Sequence, residues 1–194
     1  MSDQREGLKA MDRVFDEAKR KMDVTVEHLA KELAGIRTGR ASTALLDGVT
    51  VDYYGADTPI NQVANVSTPD ALTISIQPWD AKMIGAIEKA ILASDLGLTP
   101  ADDGKVIRIN MPPLTEERRK ELTKHVRKLA EDAKIALRNV RREAIEQIKK
   151  LEKEKEVSED EARKGGDRIQ KIIDEHISKI DKMTAEKEKE VMDR

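Results

Sequence analysis

Arg127, Lys134, Arg138, Arg141 and Arg142 recur at helical spacing within one basic segment, PPLTEERRKELTKHVRKLAEDAKIALRNVRREAIEQIKKLEKEK, from Pro112 to Lys155. At about 100° per residue these cations gather in a single stripe. Val126, Leu129, Ala133, Leu137, Val140 and Ala144 form a second stripe roughly a quarter-turn away. One face is suited to packing and its neighbour to gripping phosphates, because guanidinium forks make bidentate contacts with phosphate oxygens. The aromatic residues are Phe15, Tyr53, Tyr54 and Trp79, none of them on this helix, so it offers no stacking platform for unpaired bases. Contact with the backbone and shape of folded RNA fits better than single-strand readout. The plain alternative is a solvated face, common on highly charged helices.

Other chemistry is sparse. The chain contains no G-x-S-x-G, G-x-x-x-x-G-K-[ST], H-E-x-x-H or G-x-G-x-x-G. It has no cysteine, which excludes disulfides, thiolate metal sites and a cysteine nucleophile, and suits a reducing cytoplasm. His28, His125 and His176 are far apart in sequence and read as packing or surface residues, not metal ligands or catalysts. The acidic runs after Ser158 and from Glu186 to Glu190 read as solvated helix faces with i,i+4 pairs. Tyr53 and Tyr54, adjacent in an expected strand, point to opposite faces, so that one can enter a core and the other meet a partner. Trp79 reads as a packing anchor.

Charged residues make up 38% of the 194 and aromatics 2%, a balance that favours long surface-rich helices over an enzyme with a deep apolar pocket. No apolar run approaches the roughly 20 residues that span a bilayer, and a soluble, unsecreted, cytoplasmic protein with no membrane association is expected. The net charge of −2 conceals an asymmetry. Residues 115–155 carry 14 basic against 9 acidic groups, residues 40–114 carry 5 against 9, and residues 156–194 carry 9 against 12. Only the long middle helix is distinctly positive.

The elements that must position the stripe follow from periodicity. Leu8, Met11, Phe15, Ala18, Met22, Val26, Leu29, Leu33 and Ile36 step by three or four, predicting an amphipathic first helix that stops near Gly39. Short β-branched runs at Val49 to Tyr54, Val63 to Val66, Leu72 to Gln77 and Val106 to Asn110 predict strands. Between the last two lies a helix capped by Asp80 and stopped by Gly97. Two further helices are predicted, one from Thr115 past Leu151 and one from the capping box of Ser158 and Glu161. Gly165 and Gly166 are expected to fray or bend the latter, at about 1 kcal/mol each.

Three long apolar stripes can satisfy one another as a bundle. The predicted class is therefore α+β: an elongated antiparallel three-helix bundle of residues 1–38 and 114–194, with an inserted β/α/β domain at 39–113. Two chain crossings, Arg37 to Arg40 and Met111 to Leu114, would join the domains, with glycine on one and prolines on the other.

Five motifs also resemble, in order and spacing, the bacterial ribosome recycling factor family. They are IRTGRAS at Ile36 to Ser42, LLDG followed by YYG at Tyr53 to Gly55, EKAILASDLGL at Glu88 to Leu98, PPLTEERRKELTK at Pro112 to Lys124, and RNVRREA at Arg138 to Ala144. The resemblance covers nearly the whole chain. It implies an L-shaped, transfer-RNA-like outline with a flexible elbow at Thr38, Gly39 and Arg40 and at Met111, Pro112 and Pro113. It implies binding to the large ribosomal subunit and its ribosomal RNA after termination. Together with elongation factor G and its GTP hydrolysis, such a factor splits the ribosome, releasing mRNA and tRNA, with no covalent chemistry or cofactor of its own. Arg141 then matches the family's key arginine, beside Arg138 and Arg142.

Two features depart from that pattern: KGGDR at Lys164 to Arg168, and an N-terminal extension expected to be a disordered tail. A competing reading is a coiled-coil adaptor whose stripes pair with a second copy or another protein. A bundle closed within one chain would instead be monomeric, and an enzyme ranks third.

Overall fold

Apolar residues at three- and four-residue steps produce three long helices, and β-branched alternation between them produces a small sheet. The computed structural model describes residues 2–193, with side chains from Gln4 onward. The elements in chain order are α1 (Ser2–Ala34), β1 (Thr50–Tyr53), β2 (Ala56–Pro59), β3 (Ala64–Asp70), β4 (Thr73–Pro78), α2 (Ile84–Ala93), β5 (Pro100–Asp102), β6 (Ile107–Asn110), α3 (Glu116–Lys153) and α4 (Glu159–Met192). They group into two compact units, one of Met1–Lys31 with His125–Lys187, the other of Glu32–Lys124 with Glu188–Arg194.

In the first unit the cross-helix contacts set the directions. Lys21 pairs with Glu143 at 3.4 Å, while Lys134 pairs with Asp181 and Arg141 bonds Gln170, so α3 runs opposite to both neighbours. Asp12 meets Arg168 and Asp23 meets His176, which makes α1 and α4 parallel. Met11, Phe15, Ala144, Ile148, Val157 and Ile169 pack in one cluster between the three helices. Met22, Leu137, Ile173 and Ile180 are fully buried further along, each such side chain worth about 1.5–3 kcal/mol by transfer. His176 is 2% exposed and tied at both ring nitrogens, 2.7 Å from the Ile172 carbonyl and 2.7 Å from the Asp23 carboxylate. His28 and His125 lie on the surface.

Two expectations for this unit fail. The N-terminal residues are not a tail, because α1 begins at Ser2 and Gly7 docks against the turn at Glu156 and Val157, where a Cβ would collide with the Glu156 carbonyl oxygen. Nor do Gly165 and Gly166 interrupt α4. A Cβ at Gly165 would stand 2.7 Å from the Met11 terminal methyl and 3.3 Å from Ile148, so this glycine leaves room for side chains of α1 and α3 to pack against the α4 backbone.

The turn between α3 and α4 closes with Glu156 N–H donating to the Leu151 carbonyl and Lys155 N–H to that of Glu152, a Schellman arrangement with Lys155 in the left-handed position at φ 59°. Ser158 caps α4 as the sequence predicts, its hydroxyl accepting from the Glu161 N–H at 3.1 Å. Thr115 does the same for α3 through the Arg118 N–H.

The second unit holds a four-stranded antiparallel sheet in the order β3-β4-β6-β5 and a separate β1-β2 hairpin. Ile74 sits opposite Ile109 and Ile76 opposite Ile107, all fully buried, and α2 covers them with Ile84, Ile87 and Ile91. The opposite face alternates to Ser75, Arg108, Thr73 and Asn110. Strands β2 and β5 escape sequence reading: ADTP and PAD are short, carry prolines and show no apolar alternation.

The first helix ends at Ala34, before Gly35 instead of near Gly39. Asp80 caps a short 3₁₀ turn, Ala81–Met83, that leads into α2, and α2 ends at Ala93, short of Gly97. Tyr54 is not in a strand: Tyr54 and Gly55, at φ 51° and 85°, form the two-residue turn of the β1-β2 hairpin. Neither tyrosine is buried, and their rings meet edge to face at 4.6 Å. Trp79 is 64% exposed and anchors no core, since it falls on the loop between β4 and the Asp80 cap. Arg119, 7% exposed, donates to the carbonyls of Val191 and Asp193 at 2.7 Å each and so holds the end of α4.

Candidate RNA-binding face

Residues 138–149 of α3 carry an open groove of about 450 Å³ lined by Arg138, Asn139, Arg141, Arg142, Ile145, Glu146 and Lys149. Helical geometry places them together: Arg138, Arg142, Ile145 and Lys149 step by three and four residues, and Arg141 lies at the border with the packed stripe, half-buried. Ile145, also half-buried, packs against the core cluster beneath and gives the groove an aliphatic floor.

The stripe predicted from spacing is divided by its partners. Lys134 is bonded to Asp181 at 2.6 Å, and Arg138 to Glu131 at 3.1 Å, so each has a carboxylate at hand. Arg141 and Arg142 hold neutral amides instead, Gln170 Oε1 at 3.2 Å and Asn139 Oδ1 at 3.2 Å. Their positive charge is therefore available to an external anion. Arg127 lies a further three turns toward the start of α3 and outside the groove. Sequence spacing brings Arg138, Arg141 and Arg142 together, as expected. It also held the signal for Lys149, seven residues beyond Arg142 on the same face. Gln170, on another helix, had no such signal.

The residues expected at the elbow lie in the second unit. Thr38 is buried and its hydroxyl accepts from the Arg40 N–H at 3.2 Å, while Gly39 has open space around it. Ala41 N–H donates to the Ala71 carbonyl and Met111 N–H to that of Leu72, so both crossings are fastened to the β3-β4 turn. Met111 belongs to the core of the sheet, and Pro112 and Pro113 are exposed. The Arg37 guanidinium donates to the Pro112 carbonyl, linking the two crossings. Partial burial, then the charge of Arg118, lowers its pKa from the ordinary value.

Among the described residues, no group of three or more His, Asp or Glu could hold a metal ion, and no helix is long and apolar enough to cross a membrane. The sequence model of the ribosome recycling factor family matches residues 29–192. The ribosome-recycling factor of Geobacillus kaustophilus is 59% identical over 93% of this chain and 97% of its own length. That of Oleidesulfovibrio alaskensis is 55% identical over 94% and 100%. Among solved structures, a solution structure of the ribosome recycling factor superposes with a TM-score of 0.75 at 46% identity, covering 94% of this chain and 97% of the other. Another match comes from models for the T. thermophilus ribosome recycling factor and the E. coli elongation factor G bound to the E. coli post-termination complex. It has a TM-score of 0.68 at 48% identity and covers 94% and 99%. The architecture is an α+β fold, helical at both ends with an antiparallel sheet domain between, and it is shared with these structures. The chain belongs to the ribosome recycling factor family, and its role is ribosome recycling in protein biosynthesis.

Proposed function

We propose that the chain binds the large subunit of the post-termination ribosome through the α3 groove, with Arg138, Arg141, Arg142 and Lys149 toward ribosomal RNA. With elongation factor G and GTP it then splits the ribosome into subunits. The observation that carries this reading is the pair Arg141 and Arg142, which face the groove and are held by amides, not neutralised by carboxylates. Arg127 contributes to the same cationic surface at longer range. The similarity to a factor described together with elongation factor G on a post-termination complex supports the choice of partner.

In this reading the protein is a cytoplasmic monomer without catalysis or cofactor of its own. Residues 39–113 move relative to the bundle of residues 1–38 and 114–194 about Thr38, Gly39, Arg40, Met111, Pro112 and Pro113. Work is supplied by the partner's nucleotide cycle. The test is light scattering of post-termination ribosomes mixed with this protein, elongation factor G and GTP. Scattering is expected to fall only when all three are present; no fall with a matched elongation factor G would overturn the proposal.

A further inference from the structure

Arg141 is not held by a carboxylate directly, but one stands a single amide away. Its Nη1 donates to Gln170 Oε1 at 3.2 Å, and Gln170 Nε2 donates to Asp174 Oδ1 at 2.9 Å. Gln170 and Asp174 are exposed and four residues apart on α4, hence neighbours on one helix face. The two bonds fix the amide's orientation. Turned the other way, its NH2 would face the guanidinium and its oxygen the carboxylate, donor against donor and acceptor against acceptor.

We propose that Gln170, oriented by Asp174, is a positioning residue for Arg141: it fixes the guanidinium at the edge of the groove without cancelling its charge. Two other cations of α3 supply the contrast, because Lys134 and Arg138 meet Asp181 and Glu131 with no spacer. An amide between guanidinium and carboxylate separates two tasks that a direct ion pair would merge. The arginine gives up rotamer freedom before the RNA arrives, so less is lost on binding, and it still carries a full charge for phosphate. Asp174 acts through Gln170 and touches no RNA.

This inference rests on the RNA-binding reading of the groove, and the experiment separates the two. Affinity for isolated large subunits is measured for Gln170→Met, Asp174→Asn, Arg141→Ala and the double variant Arg141→Ala with Gln170→Met. Alongside, the order of the Arg141 Nε–H group is read by NMR relaxation in the free protein. Gln170→Met keeps length and volume but loses the acceptor, and it should weaken binding about 3- to 10-fold, the range of one net hydrogen bond. Asp174→Asn should weaken it less, because an asparagine can still accept from Gln170. In the Arg141→Ala background Gln170→Met should add nothing further, since it acts through the arginine.

Nε–H order at Arg141 should fall in Gln170→Met even with no ribosome present. Unchanged order, unchanged affinity of the single variant, or additive losses in the double variant would each overturn the positioning role. If Arg141→Ala itself binds like wild type, the RNA reading of the groove fails, while the NMR arm still decides whether Gln170 orders Arg141.

Discussion

At the scale of single residues, the surroundings of a charge decide what it can do, and Arg141 is the clearest case. Its position was legible from the α3 periodicity, but its availability was not, because that depends on Gln170 from α4. Arg141→Ala should weaken large-subunit binding by about 1–3 kcal/mol, the scale of a charge-assisted hydrogen bond, as read by an equilibrium binding titration. Glu88 shows a different effect. Hydrogen bonding of the protonated Glu88 carboxyl to Asp102, then burial, then the charge of Asp102 raise the Glu88 pKa above the ordinary glutamate value. A carboxyl whose folded pKa is raised contributes stability below its unfolded pKa, near 4.3, and loses it as pH rises through the folded value. Glu88→Gln keeps a donor toward Asp102 at every pH. It should therefore stabilise the sheet unit at pH 7 by about 0.2–0.5 kcal/mol, the scale left to a solvent-screened pair, and change little at pH 4, as thermal unfolding at the two pH values would show. Asp103, lowered chiefly by the backbone N–H groups of Val106 and Lys105, works in the opposite direction in both proteins and cancels in the comparison.

At the scale of elements, the long helices were readable because their apolar residues repeat over many turns. The short strands β2 and β5 were not, because three or four residues with a proline and exposed side chains carry no period. Close approach was equally hidden: Gly7 and Gly165 look like helix breakers until the α3-α4 turn faces the first and side chains of α1 and α3 face the second. Gly7→Ala should destabilise the bundle by about 1–3 kcal/mol in chemical denaturation, since the obstruction is the rigid Glu156 carbonyl. Gly165→Ala should cost less, because the Met11 methyl that obstructs it is the end of a flexible side chain and the helix gains from alanine. The α3-α4 turn tests the same logic in reverse. Lys155 holds a left-handed φ of 59° where glycine is unstrained, so Lys155→Gly should stabilise the protein by about 0.5–1 kcal/mol in the same measurement.

At the scale of the whole molecule, function rests on charge distribution more than on any cavity. A net charge of −2 coexists with an α3 segment of 14 basic and 9 acidic groups, and only the segment-by-segment count reveals it. Binding to the large subunit should weaken steeply with added salt, log affinity falling linearly with log salt as counterions are released. A flat response would point away from phosphate contact. The α+β class was legible because each segment keeps its own period. The dimerising alternative predicts a mass that doubles in light scattering at micromolar concentration, and the proposed monomer predicts one that does not.

The clamp made by Arg119 has a consequence for the order in which the chain is made. Its acceptors, the carbonyls of Val191 and Asp193, follow it by 72 and 74 residues. A ribosome building this protein therefore exports the arginine long before it exports the oxygens. Until those residues emerge, the start of α3 keeps an unmatched guanidinium that draws water into a site later sealed. The sheet, whose strands all precede Arg119, can form on the growing chain, whereas the joint at Arg119 closes only after residue 193 has cleared the exit tunnel.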